Sequence, residues 1–290
     1  MPTAGHDRFL LRFAPDVWSA PTKFLNFLGA PYHVTKDLQR SIQSCVDHTN
    51  KYEVLASLAN RIQPTLLEDM QELEANGYTP ASRSREYAAV VETLICELYS
   101  VLDGLRFSVY WLFRNYRGVQ KKSTSQLFSR ATSAEYSPKF PKEIQKLLAE
   151  AYGDWFLQLR RLRTELTHGG VGNCHMDKKT HIVSYMNPSL GTQDRAYVIE
   201  DVVSVVSGLA NSVFRLQHNI FEYLYIQLEQ VETTQFCGIF KGRMYMRKVL
   251  PEPNLNRGSG KCASSHWFSV EKELFCPLAA ECPAYKAIVP

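Results

Sequence analysis

No uncharged apolar run in this 290-residue chain reaches the ~18 residues that a membrane-spanning helix needs, and the longest, between Asp201 and Arg215, is 13. The start, Met1-Pro-Thr-Ala-Gly-His-Asp-Arg, lacks the apolar core of a secretory leader, so a cytoplasmic location is expected. Cysteine is scarce and odd in number: seven residues run from Cys45 to Cys282 with no Cys-x2-Cys pair, which excludes a dense secreted disulfide scaffold. Glycine (15) and proline (14) are too few, and apolar residues at 45% too many, for a collagenous or wholly disordered chain. Neither an internal repeat nor a low-complexity tract is present.

What the chain does have is a lopsided charge distribution. The net charge is only +4, but residues 105–163 hold twelve basic residues against Glu135, Glu143, Glu150 and Asp154, a local excess of +8. A basic surface on a nearly neutral protein points to an anionic partner, nucleic acid first among them, or else to a set of solvated helix faces.

Apolar periodicity dominates the fold reading. Thr35 caps a helix with Leu38, Ile42 and Cys45 on one side, and a second stretch from about Tyr52 carries Leu55, Leu58, Ile62, Leu66 and Met70, interrupted at Pro64. Tyr87, Val91, Leu94, Leu98, Leu102, Leu105, Val109, Leu112 and Tyr116 recur at steps of three or four, which predicts one long amphipathic helix. Val202, Val206, Leu209, Val213, Leu216, Ile220, Leu224 and Leu228 predict another. Two such helices are expected to pack against each other and to extend into a dimer interface. Between them, Pro141 opens a helix, Asp154 caps the next, and Gly169-Gly170 ends it. His181–Met186 and Ala196–Ile199 read as two short strands joined through a Pro188-Ser-Leu-Gly turn. The expected fold is an all-α antiparallel helical bundle with a small inserted β-hairpin and an irregular Cys-bearing C-terminal extension. Its parts are an N-terminal arm (1–34), a helical domain (35–232) and the extension (233–290).

The chemistry concentrates in Trp155-Phe-Leu-Gln-Leu-Arg-Arg-Leu-Arg-Thr-Glu-Leu-Thr-His-Gly-Gly. Trp155, Leu159, Leu162 and Leu166 form its core stripe. Arg163 and His168 are five positions apart, so an unbroken helix would aim them ~140° from each other; an end near Thr167 would let His168 swing toward Arg163. An imidazole titrates near ~6.5 and can take or give a proton, while a guanidinium holds phosphate and its developing charge.

Arg163-Thr-Glu-Leu-Thr-His168, set between helices, resembles the Arg-x4–6-His motif of the HEPN family (higher eukaryotes and prokaryotes nucleotide-binding domains). Where many active members have Asn, Asp or His after the Arg, this chain has Thr164. Where some toxin members have Tyr two residues after the His, it has Gly170. The resemblance implies a homodimer with a shared cleft and metal-independent RNA cleavage through 2′-OH attack, in a toxin or phage-defence setting with a neutralising or activating protein partner. On that resemblance His168 is the acid/base and Arg163 the phosphate ligand, both catalytic, with no cofactor for the reaction. Thr164, the residue after the motif arginine, Glu165 and Arg160 are the supporting residues, and helical spacing places Glu165 to orient Arg161 or His168. Arg114, Arg117, Lys121 and Lys122 are the candidate RNA-binding cations, with Tyr110, Trp111, Tyr116 and Tyr136 as base-stacking candidates, Tyr136 lying in the open segment. The alternative is a non-catalytic RNA-, nucleotide- or protein-binding module.

A second constellation lies in the tail. Cys237, Cys262, Cys276 and Cys282, with spacings x24, x13 and x5, could close a structural zinc site, with His266 able to replace one sulfur. They could equally hold an iron–sulfur cluster, or be ordinary reduced cysteines. His168, Cys174, His175 and His181 form a further set that could clip a metal, or simply occupy a loop leading into a strand.

Overall fold

A computed structural model describes residues 11–12, 18–133, 135–192, 195–256 and 258–288. The chain divides into two compact units, Thr35–Ile220 and the combination of Met1–Val34 with Phe221–Pro290.

In Thr35–Ile220, helix α2 spans Lys36–Ile62, capped by the Thr35 side chain, which accepts from the Leu38 backbone N–H at 3.1 Å. The two stretches read separately on either side of Thr49 are one helix. The break comes at a 3-10 turn, Gln63–Thr65, where Pro64 cannot donate, and α3 follows over Leu66–Asn76. Helix α4 runs over Ser82–Phe113 and buries Tyr87, Val91, Leu94, Leu98, Leu102, Leu105 and Val109 against α2. Tyr116 lies beyond its end. Across the α2–α4 seam the buried Glu97 carboxylate accepts from His48 Nδ1 and, at 2.8 Å, from Lys51 Nζ.

Helix α5 covers Thr124–Ser129 and α6 Lys142–Ala151. A π-turn, Tyr152–Phe156, then leads without interruption into α7, Leu157–His168. Asp154 therefore lies exposed inside a continuous helical rod instead of capping a new helix. The wider turn lets two adjacent large rings, Trp155 and Phe156, both face inward, with Phe156 stacked on Phe128 at 3.9 Å. The predicted stripe Trp155, Leu159, Leu162 and Leu166 is buried. Strands β2 (Asn173–Met176), β3 (Val183–Thr192) and β4 (Arg195–Ile199) form an antiparallel meander. Pro188 lies within β3, where the β3–β4 register shifts, so the ladder tolerates its missing N–H. Helix α8 spans Val202–Tyr225, and its residues up to Ile220 belong to this unit; its Phe214 meets Tyr52 of α2 edge-on at 5.2 Å.

In the other unit, α1 (Ala20–Phe27) is capped by Ser19, and a sheet of order β1-β5-β6-β7 comprises Leu11–Arg12, Thr233–Phe240, Arg243–Val249 and Lys261–Cys262. Lys241 and Gly242 both take positive φ (48° and 72°), the two-residue turn that joins β5 to β6. Short helices α9 (His266–Val270) and α10 (Pro283–Lys286) follow.

The all-α expectation is thus wrong. The protein is a mixed α/β fold with two antiparallel sheets, a meander in place of the single hairpin and a structured sheet in place of an irregular extension. The first was underestimated because Asn173-Cys-His-Met carries no run of β-branched residues. The second was hidden because β5 holds a bulge at Cys237, between Phe236 and Gly238, which breaks its two-residue alternation. No helix among the described residues is long and apolar enough to cross a membrane.

Candidate functional site

Helix α7 lies on α4, and this contact organises the Arg–His motif. Arg163 is half-buried, its guanidinium 5.1 Å above the Tyr99 ring of α4. Burial pushes the Tyr99 phenol up and Asp103 adds to the rise, while Arg163, Arg160 and Arg106 oppose it, so three guanidinium groups and one carboxylate surround this ring. One turn earlier on α4, burial raises the Cys96 thiol and the Arg163 charge counteracts it. Arg106, 7% exposed, donates through Nε to Thr124 Oγ1 at 2.9 Å and faces Asp103 at 3.6 Å, and its buried Nη1 has no hydrogen-bond partner among the described residues.

Helix α7 continues through His168, so the imidazole stays on the helical path. It is exposed at the C-terminal end, where Gly169 turns extended and closes the last turn onto the Glu165 carbonyl at 3.0 Å. Within one chain Arg163 and His168 therefore stand ~140° apart around α7. Thr164, Glu165 and Arg160 are exposed. Among the described residues the Glu165 carboxylate makes no ion pair, so the orienting role assigned to it has no contact behind it. Arg161, on another side of the helix, lies 5.4 Å from the Tyr197 ring of β4.

The loop after His168 is pinned by residues that sequence reading missed. Glu92 of α4 accepts from the Gly172 N–H at 2.8 Å and from the Tyr185 hydroxyl at 2.7 Å. Buried Asn187 donates to the Gly170 carbonyl and to Tyr185 Oη, both at 2.9 Å. Gly172 packs so closely that a Cβ there would lie 2.6 Å from the Tyr185 ring. The only signal in the sequence was a charged and an amide side chain inside segments that otherwise read as core.

A second cationic patch follows α4 toward its C-terminus. Trp111 is half-exposed, with Arg114 4.9 Å and Lys121 5.5 Å from its ring; Phe107 lies under Arg106 at 3.8 Å. Arg114, Arg117, Lys121 and Lys122 are exposed and, among the described residues, form no ion pair. Of the twelve cations in residues 105–163 only Arg106, Arg130 and Lys146 have carboxylate partners among the described residues. Tyr110 and Tyr116 are half-buried, and Tyr136 is core: it is 5% exposed and donates to the Leu127 carbonyl at 2.8 Å. The segment looked open because its buried ring is isolated in the sequence.

In the other unit, Cys237, Cys262 and Cys276 pack against one cluster of Phe240, Tyr245 and Ala279. Cys282 stands at the start of α10, and His266 Nδ1 is 3.0 Å from the Ala263 carbonyl oxygen. Among the described residues no three His, Cys, Asp or Glu side chains already form a metal-holding group, including the set around His168, whose Cys174 is buried in β2 with its thiol pushed up to about 12 by burial. In comparisons with known proteins, the chain matches no family model, no curated protein and no solved structure.

Proposed function

We propose that the α4–α7 face binds RNA and cleaves it without metal. The observation that carries this reading is that Arg163 rests on an aromatic ring with no carboxylate partner among the described residues, within a basic stretch whose charge is mostly uncompensated. An uncompensated guanidinium on a ring face retains its full attraction for a phosphodiester. In the reaction the ribose 2′-oxygen forms a bond to the adjacent phosphorus as the P–O5′ bond breaks. His168 moves the proton, Arg163 stabilises the charge on the non-bridging oxygens, and a 2′,3′-cyclic phosphate and a 5′-hydroxyl remain.

The ~140° between the two side chains on one helix requires the imidazole of one copy to meet the guanidinium of a second. The test is cleavage of total RNA in EDTA by wild type, Arg163→Ala, His168→Ala and an equimolar refolded mixture of the two variants. Each variant alone should be inactive, and the mixture should regain roughly a quarter of wild-type activity, because half the dimers are mixed and each has one intact site. Absence of cleavage by wild type ends the catalytic reading. Activity in both variants alone ends the residue assignment.

The single-chain separation of Arg163 and His168 specifically favours a second reading, RNA binding without cleavage. Binding that weakens steeply with salt and requires Arg114, Lys121 and Arg163, with no cyclic-phosphate product, would establish it.

A further inference from the structure

We propose that Cys237, Cys262, Cys276 and Cys282 are the four ligands of one structural zinc ion that completes the C-terminal sheet. The chain brings these residues together from 46 positions of sequence by identifiable steps. Arg247 on β6 is opposite Gln235 on one side and Cys262 on the other. The β5 bulge takes Cys237 out of the ladder's alternation, and the Arg247 Nε donates to its sulfur at 3.1 Å. The 3-10 turn Ala279–Glu281 places buried Ala279 beneath the sheet, three residues from both Cys276 and Cys282. Every one of the six pairs among the four thiols is close enough to interact electrostatically.

The surroundings of the sulfurs suit thiolates. The backbone N–H two residues on, that of Leu278, donates to the Cys276 sulfur, that of Ser264 donates to Cys262, and the Ala279 N–H closes the turn onto the Cys276 carbonyl at 2.9 Å. Backbone donors looped back onto a cysteine sulfur give a thiolate charge-assisted hydrogen bonds that a neutral thiol, a weak acceptor, gains little from. Zinc would displace four thiol protons to solvent and leave a centre of net charge −2. Buried Arg247, 4% exposed and already on Cys237, offsets part of that charge. Four sulfur ligands, soft and singly charged, select zinc over hard divalent cations.

The test uses the full-length protein purified under reducing conditions. Elemental analysis should find one zinc per chain, and replacement by Co2+ should give the visible bands of a tetrahedral site with intense sulfur-to-metal charge transfer. Cys262→Ser and Cys276→Ser should each lower retained zinc at least tenfold, while Cys96→Ser, in the other unit, should leave it at one per chain. Should the variants fail to fold, the Co2+ spectrum of wild type decides alone, because charge transfer of that intensity demands several thiolates. Zinc well below stoichiometry with no charge-transfer band, a pair of disulfides in the protein as purified, or the absorption of an iron–sulfur cluster would each overturn the proposal.

Discussion

The α2–α4 pair and the β5–β6–β7 sheet hold themselves together by different means. Along α4, fully buried apolar side chains recur every three or four residues over nearly the whole 32-residue helix, and the one buried carboxylate, Glu97, is matched by Lys51 and His48. The sheet's cluster of buried residues is Phe240, Tyr245 and Ala279, edged by half-buried cysteines. A core of the first kind stabilises itself by area removed from water, and one of the second kind removes less of it. The difference teaches where function has latitude. A helix whose inner face is secured can present surplus arginine and lysine outward, and the basic α4–α7 face does so.

The strongest way to break this contrast is to damage the helical stripe. Leu98→Ala, at a fully buried position, should cost about 2–5 kcal/mol in denaturant melts followed by helical circular dichroism. It should leave zinc per chain unchanged, whereas chelation should open residues 233–288 to protease and leave the helical signal. If chelation collapses the helical signal as fully as Leu98→Ala does, the two regions do not differ in the way described. A smaller effect sharpens the contrast within the helical unit itself. Gly172→Ala places a methyl 2.6 Å from the Tyr185 ring and 2.7 Å from the Met186 carbonyl, so it should cost about 1–3 kcal/mol. Hydrogen exchange should locate that loss in β2–β4 and the loop after His168. An unchanged melt would mean that Tyr185 yields freely and that the loop is not held by close packing.

Much of the helical unit was legible because its signal is redundant. Seven buried positions of α4 and all eight of the later stripe follow a single period, and no single residue can mask it. Leu55 and Leu58, on the same periodic grounds, are only half-buried, because Tyr52 and Ala59 face the core there instead. Of the first sheet, β3 and β4 were legible as a hairpin and only β2, which carries no run of β-branched residues, was missed, while the second sheet was hidden by the bulge at Cys237. The π-turn had no signature beyond two adjacent large aromatics, and that turn removed the expected cap at Asp154. Of the candidate site, the arginines and the histidine could be named from the motif. Tyr99, Asp103 and Arg106, which give Arg163 its surroundings, could not, since they come from a helix some 60 residues earlier and only packing brings them there.

The smallest effect concerns the buried carboxylate of the α2–α4 seam, Glu97. Burial alone would raise the Glu97 carboxyl, but hydrogen bonds from Lys51 and His48 and their positive charges outweigh it, and the group is held below the usual carboxylate value. A carboxyl lowered in the folded state stabilises the fold fully above its unfolded value near ~4.3, and that contribution is lost as pH falls through the folded value. The acid limb of the stability profile should therefore steepen below about pH 4, with Glu97→Gln shallower than wild type by on the order of 1 kcal/mol over that limb, given how exposed Lys51 is. At neutral pH the same variant should be the less stable of the two, so the two profiles should converge as the pH falls. Parallel profiles would show that Lys51 and His48 give the carboxylate no more than water does, and the α2–α4 seam would then rest on its apolar stripe alone.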